Sequence, residues 1–252
     1  MMRRSVERES RPLLEVDRLT VRFGGLVALA HVSFTIHQGD FVALIGPNGA
    51  GKTTVFNVLT GLVRPTTGRL LFQGTDITRY RSDQISRQGI SRTFQLIRVF
   101  PGLSVLDNVR VGAIFGRSGK APRPECETLQ DILTLTDMLR LAHQPAGSLG
   151  IGERKRLEIA RALATQPSLL LLDEVLAGVA PPDTRALMDL IHAIHQRGVT
   201  LIWIEHIIPA VLELAERIIV LHHGEKIAEG PPVQVVHDPV VVKAYLGESP
   251  AA

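Results

Sequence analysis

The sequence predicts an α/β fold in which a largely parallel sheet receives an inserted helical subdomain. Three observations carry that expectation. Residues 41–45, 169–172 and 201–204 are short, unbroken apolar runs, the pattern of strands covered on both faces. Helical patterns alternate with these runs, as they do where crossover helices join parallel strands. Between residues 104 and 163 the pattern is mostly helical, which sets a helical unit between two stretches of β/α alternation.

Each element follows from local chemistry. Residues 1–11 are polar, with a basic start but no apolar stretch behind it, and are expected to be a flexible segment rather than a signal peptide. From Leu13 the pattern is β-like; Val32, Phe34 and Ile36 alternate with Ser33 and Thr35, as in a half-buried strand. Gln38-Gly39-Asp40 is a turn, residues 41–45 a buried strand, and a glycine-rich loop leads into a helix ending near Thr60. Pro65-Thr66-Thr67-Gly68 turns the chain into a strand over 70–72. The helical stretch is broken at residues 116–124, a Gly/Pro/basic loop. Beyond Gln166-Pro167 come a strand over 169–172, a helix over 183–196, a strand over 201–204 and a short helix over 209–215. Residues 218–221 and 226–228 form a closing pair, and residues 240–246 a last helix. One domain over 12–247 is expected, with its core in 12–95 and 160–247, a helical subdomain over about 96–159 and a tail at 248–252.

Composition narrows the function. At 252 residues the chain can bury an ordinary core, and 45% hydrophobic against 21% charged residues excludes a disordered protein. The single cysteine, Cys126, excludes an internal disulfide framework and argues against a cysteine zinc site. No apolar run approaches the roughly 18 residues that span a bilayer, so a cytoplasmic globular protein is expected. The net charge of +3 comes without a dense basic block, so nucleic acid is not the expected partner. An anionic small ligand, or a lipid surface beside a membrane partner, accounts for it equally well.

Gly46-Pro47-Asn48-Gly49-Ala50-Gly51-Lys52-Thr53-Thr54 fits the pattern G-x-x-x-x-G-K-[ST]. Its glycines let backbone N–H groups curl around phosphate oxygens, and the helix that opens at Gly51 adds unpaired N–H groups and a dipole. Lys52 supplies a point charge to the β- and γ-phosphates, and the Thr53 hydroxyl can ligate Mg²⁺. This loop is expected to bind a nucleoside triphosphate. The strand over 169–172 ends in Asp173-Glu174, placing two carboxylates at a sheet edge where ligands sit. Asp173 is suited to hold Mg²⁺ through water, and Glu174 to polarise a water for attack on the γ-phosphate.

With these motifs in hand, the chain resembles an ATP-binding cassette (ABC) ATPase over nearly all its length. Lys52-Thr53 and Asp173-Glu174 match the family's Walker A and Walker B motifs. In Arg92-Thr93-Phe94-Gln95, Gln95 stands at the Q-loop position, which implies sensing of Mg²⁺ and the attacking water. Leu149-Gly150-Ile151-Gly152-Glu153 stands where the LSGGQ signature belongs, and His206 at the switch-histidine position, 32 residues after Glu174. Phe23, before Gly24-Gly25, matches the aromatic position that stacks on adenine. The resemblance implies a mostly parallel core sheet, an antiparallel β portion and an inserted helical subdomain. It also implies a head-to-tail dimer in which Leu149, Gly150, Gly152 and Glu153 act in trans on the partner's ATP. Glu174, His206, Gln95 and Lys52 are then the catalytic set, and Thr53, Gln95 and Asp173 the Mg²⁺ set.

Two departures stand out. Gly150 replaces the signature serine, with Arg154 in place of the terminal glutamine if Glu153 takes the preceding position, and Ala180 replaces the D-loop's usual Asp or Asn. Weaker closure and altered communication between two ATP sites are the expected consequences. Local phrases around residues 22–29, 93–101, 224–230 and 238–247 are similar to the ATPases of high-affinity branched-chain amino-acid importers and their urea, amide or aromatic-acid relatives. That resemblance implies a peripheral subunit on the cytoplasmic membrane face, with two permeases, a second identical or homologous ATPase and, indirectly, a periplasmic binding protein. A nucleic-acid or ribosome ABC protein, an exporter ATPase and a regulatory module that barely hydrolyses ATP are the alternatives. Residues 96–101, next to Gln95, are expected to dock a permease helix. Arg154-Lys155-Arg156 reads as a solvated helix face, and His192, His195, His222 and His223 as solvated or satisfied histidines.

Overall fold

The alternating pattern around Val32 folds as half of a long hairpin, in which Pro12–Phe23 (β1) pairs antiparallel with Leu26–His37 (β2). Leu29, Val32, Phe34 and Ile36 are buried, and the residues between them face outward or lie half covered. This computed structural model describes residues 12–95, 98–116 and 129–246. The N-terminal segment 1–11, the tail 248–252, most of the 116–124 loop and Cys126 lie outside the described residues, as do Leu96 and Ile97.

After the turn at Gly39 the chain enters Phe41–Ile45 (β3), buried at every position, and then the helix Lys52–Leu59 (α1). Thr67–Phe72 (β4) and the short Thr75–Asp76 (β5) return to the hairpin, giving an antiparallel sheet of order β2-β1-β4-β5. Two elements follow that the sequence pattern did not reveal, Ser82–Gln88 (α2) and Ile90–Arg92 (β6). Three residues carry no readable periodicity; β6 is a strand because it pairs in parallel with Leu169–Asp173, Arg92 opposite Leu171.

The helical stretch holds Val105–Phe115 (α3), Leu129–Leu135 (α4) and Ile151–Ala164 (α5). Ser104 caps α3 by accepting from the Asp107 N–H at 3.0 Å. Then come Leu169–Asp173 (β7), Pro181–Gln196 (α6), Thr200–Ile204 (β8), Ile208–Leu214 (α7), Arg217–His222 (β9), Glu225–Gly230 (β10), Pro232–Val235 (α8) and Pro239–Leu246 (α9). Helix α6 starts two residues before the expected Asp183, because Pro181 and Pro182 suit a helix's first turn.

The second sheet has the order β10-β9-β3-β8-β7-β6, parallel throughout except for the antiparallel edge strand β10. Side-chain alternation divides its apolar runs between two layers. Leu169 and Leu171 face the antiparallel sheet and α1, whereas Leu170, Leu172 and Trp203 face α5 and α6. A strand covered on both faces must be apolar at every position, which is why these runs are continuous. No described helix is long and apolar enough to cross a membrane.

Candidate functional site

The site lies at the C-terminal ends of the parallel strands. Gly46 leaves β3 so close to the next strand that a Cβ there would meet the Leu221 carbonyl oxygen at 2.1 Å. Gly51 starts α1 at φ 103°, a conformation that favours glycine, and the helix has no side-chain cap. The uncapped N–H groups of α1 therefore remain for an anion. Residues 48–54 form the floor of an open cleft of about 590 Å³. Phe23 and Leu26 line it as half- to two-thirds-exposed apolar side chains, and Gln95, Glu174, His223 and Gly224 complete its walls.

Lys52 is 9% exposed, and its Nζ donates to the carbonyl oxygens of Gly46 at 2.6 Å and Pro47 at 2.9 Å. Burial pulls its pKa down, while Glu174 and Asp173 oppose that by favouring the cation. Thr53 is exposed to the cleft one residue further on.

Strand β7 delivers the two carboxylates, and they meet different surroundings. Glu174 has φ 47°, a left-handed conformation uncommon for a residue with a Cβ and costing about 1 kcal/mol or more. Its N–H donates to the Ile204 carbonyl at 2.9 Å, and its Oε2 accepts from Gln95 Nε2 at 2.7 Å. Asp173 is buried instead, paired with Arg92 Nη2 at 2.6 Å. The Arg92 guanidinium also donates to Asn57 Oδ1 at 2.7 Å and lies over the rings of Phe56 and Phe94. In the linear sequence Arg92 stands out only as a neighbour of Gln95. Its role depends on the β6–β7 register, so no linear signal marks it.

His206 follows β8 with its side chain 60% exposed and Nδ1 3.3 Å from Glu205 Oε1; it does not line the cleft. Glu205 is fully buried, and desolvation raises its pKa against the hydrogen bonds it accepts from the N–H groups of His206, Leu176 and Ile207. His223, which does line the cleft, was expected to be an ordinary histidine; its ring lies 4.0 Å from that of His222. His195 shares a 2.7 Å hydrogen bond with the Gly39 carbonyl.

Leu149, Gly150, Gly152 and Glu153 form the N-terminus of α5, and none of them lines this chain's own cleft. Glu153 Oε2 accepts from the Gly150 N–H at 2.8 Å and so closes the first turn. The expected solvated face at residues 154–156 needs correction. Lys155 is buried, with Nζ donating to the Glu174 carbonyl at 3.0 Å, and Arg156 pairs with Asp137 and Asp183. The three side chains leave the helix in different directions, and the one at Lys155 points into the core.

Residues 29–177 match the family described as ABC transporter. The chain belongs to the ABC transporter ATPases. Residues 225–251 further match the family described as branched-chain amino acid ATP-binding cassette transporter. Among curated relatives, this ABC ATPase is 39% identical to the high-affinity branched-chain amino acid transport ATP-binding protein LivG of Escherichia coli, across 95% of this chain and 100% of that protein. It is 38% identical to BraF of Pseudomonas aeruginosa, described in the same words, over the same shares. Among solved structures it superposes on the ADP conformation of an ATP-binding cassette of an ABC transporter with a TM-score of 0.83 and 32% identity, covering 95% of this chain and 100% of that one. A dimeric bacterial ABC transporter cassette gives a TM-score of 0.76 at 27% identity, over 87% and 98%. The chain thus has the fold that its motifs implied and is an ATP-hydrolysing transporter subunit.

Proposed function

We propose that this ABC ATPase energises the import of branched-chain amino acids through separate membrane permeases, as one of a pair of ATPase subunits. The observation that carries the mechanism is the single cleft joining the phosphate loop to Gln95 and Glu174. ATP enters with its phosphates on residues 46–54, where Lys52 exchanges its two carbonyl partners for phosphate oxygens. Phe23 offers a ring face to the adenine.

The residues present fit a magnesium ion. Thr53 and Gln95 line the cleft, and Asp173 lies buried behind it, paired with Arg92 and close enough to act on the Lys52 charge; these are the hard oxygen donors that Mg²⁺ takes when it keeps several waters and the nucleotide's own oxygens. They would hold it there, Asp173 through water, where it would neutralise charge on the β- and γ-phosphates. Glu174 orients the attacking water, Gln95 fixes the Glu174 carboxylate, and His206 swings in from its exposed position to complete the set. The N-terminus of α5, with Leu149, Gly150, Gly152 and Glu153, closes on the partner's γ-phosphate. The dimeric cassette among the similar structures supports the pairing of two such subunits.

A groove of about 340 Å³ between β6 and the helices α3 and α5 is the proposed permease dock. Leu62 and Phe115 are exposed at it, and Arg98 lines it, from the described part of the segment expected to dock. The names of LivG and BraF and the match over residues 225–251 favour a branched-chain amino acid cargo over urea, amides or aromatic acids.

The test is affinity purification of the tagged chain from gently solubilised membranes, with mass spectrometry of what accompanies it. Two multi-span permeases and a second ATPase are expected, and the associated binding protein should take up leucine, isoleucine or valine. Ribosomes or nucleic-acid proteins without a membrane partner would overturn the transport assignment. A binding protein selective for urea or amides would move the cargo alone.

A further inference from the structure

Helix α5 begins at the segment proposed to meet the partner's nucleotide, and its inner face carries three charged residues at three-residue spacing, Lys155, Glu158 and Arg161. Lys155 and Glu158 are 5% and 6% exposed. Long charged side chains are almost never so buried unless they are paired, which calls for an account of what each one holds.

All three grip the backbone of segments that carry hydrolytic residues. Lys155 Nζ donates to the Glu174 carbonyl at 3.0 Å. Glu158 Oε1 accepts from the Phe94 N–H at 2.9 Å, and the same carboxylate accepts from the Arg98 N–H, so it holds the chain on both sides of Gln95. Arg161 donates to the Arg98 carbonyl and lies over the Phe100 ring, 4.7 Å from its centroid. The circuit closes through Gln95, whose Nε2 donates to Glu174 Oε2 at 2.7 Å. A closed circuit of hydrogen bonds and covalent chain thus runs from α5 through Glu174, Gln95 and Phe94 back to α5.

We propose that Lys155 and Glu158 are positioning residues for ATP hydrolysis, fixing this chain's own Glu174 and Gln95 to the helix whose N-terminus faces the partner's nucleotide. Movement of α5 on dimer closure then shifts both hydrolytic residues together. The link lies outside the D-loop, where Ala180 has no polar side chain to carry a signal. Neither positioning residue lines the cleft, so their effect falls on turnover rather than on nucleotide capture. This inference rests on the reading of Glu174 and Gln95 as the hydrolytic pair.

The experiment uses the full chain in its assembled transporter at saturating and limiting ATP, with turnover normalised to titrated nucleotide-binding sites. Glu158→Gln retains an acceptor oxygen for one of the two N–H groups, Glu158→Ala retains none, and Lys155→Met removes the donor to Glu174. Glu158→Ala and Lys155→Met are expected to lower kcat about 10- to 100-fold, the cost of displacing a catalytic group by about 1 Å. Binding of a fluorescent ATP analogue should stay within about twofold, and Glu158→Gln should recover part of the kcat lost in Glu158→Ala. Unchanged kcat in Glu158→Ala and Lys155→Met would overturn the proposal, as would a loss of nucleotide affinity equal to the loss of kcat. Glu174→Gln, run in parallel, separates the two levels: normal turnover there rejects the hydrolytic assignment itself.

Discussion

Replacing Arg92 by methionine should destabilise the fold by about 3–5 kcal/mol, the usual cost of leaving one member of a buried ion pair behind. Arg92 Nη2 lies 2.6 Å from Asp173 Oδ2, and the two side chains are 5% and 3% exposed. At that separation the attraction is about 6 kcal/mol for an effective dielectric constant near 20. Desolvation of both ions offsets much of it while the pair is intact. In Arg92→Met the Asp173 carboxylate keeps its desolvation cost and loses its counter-charge. Asn57 Oδ1 also loses its 2.7 Å donor, and the rings of Phe56 and Phe94 lose the cation between them. For a domain of this size the melting midpoint should fall by roughly 6–20 °C. Urea denaturation of the purified chain at pH 7.5 measures the effect. The double variant Arg92→Met with Asp173→Asn should recover most of the loss, because it removes the stranded charge. A single-variant loss below about 1 kcal/mol, or a double variant as unstable as the sum of its parts, would refute the reasoning.

Three further outcomes follow from the site. Glu174→Gln should leave ATP binding within about twofold while lowering turnover at least 100-fold, read by phosphate release from the assembled complex. Gly46→Ala should abolish nucleotide binding or folding, since its Cβ would sit 2.1 Å from the Leu221 carbonyl; an active Gly46→Ala enzyme would show that the loop relaxes freely. Burial pushes the Glu158 carboxyl up to about 7 from 4.5, against the N–H groups of Phe94 and Arg98 and the charges of Arg161 and Lys155. Between those values the folded chain keeps a proton that the unfolded chain has released, so stability falls as pH rises from 4.5 through 7, by at most about 3 kcal/mol. Glu158→Gln should flatten that decline in melting curves between pH 5 and 8. The same substitution is expected to slow turnover, so its effects on stability above pH 7 and on activity run in opposite directions.

Much of the fold was legible because it rests on local patterns. The unbroken runs at 41–45, 169–172 and 201–204 are strands covered on both faces, and the alternation at Val32, Phe34 and Ile36 is one side of the antiparallel hairpin. Strand β6 and helix α2 are not legible in the sequence because three residues, and a seven-residue helix with Ile85 as its one buried residue, carry too little periodicity to register. Lys155 was misassigned for a related reason. A run of basic residues on a helix indicates a solvated face by composition, but at 100° per residue the middle one can point into the core.

By itself the sequence determined the phosphate loop, the Asp173-Glu174 pair and the class of chemistry, because these need particular residues at short, fixed spacing. Only the tertiary structure decided that Gln95 meets Glu174, that Arg92 neutralises Asp173, and that Lys155 and Glu158 hydrogen-bond from α5 to the backbone at Glu174 and beside Gln95. Those contacts join residues between 19 and 81 positions apart. They arise from strand order and from the crossing of α5 over the sheet, which are properties of the packed chain and leave no periodic trace along it.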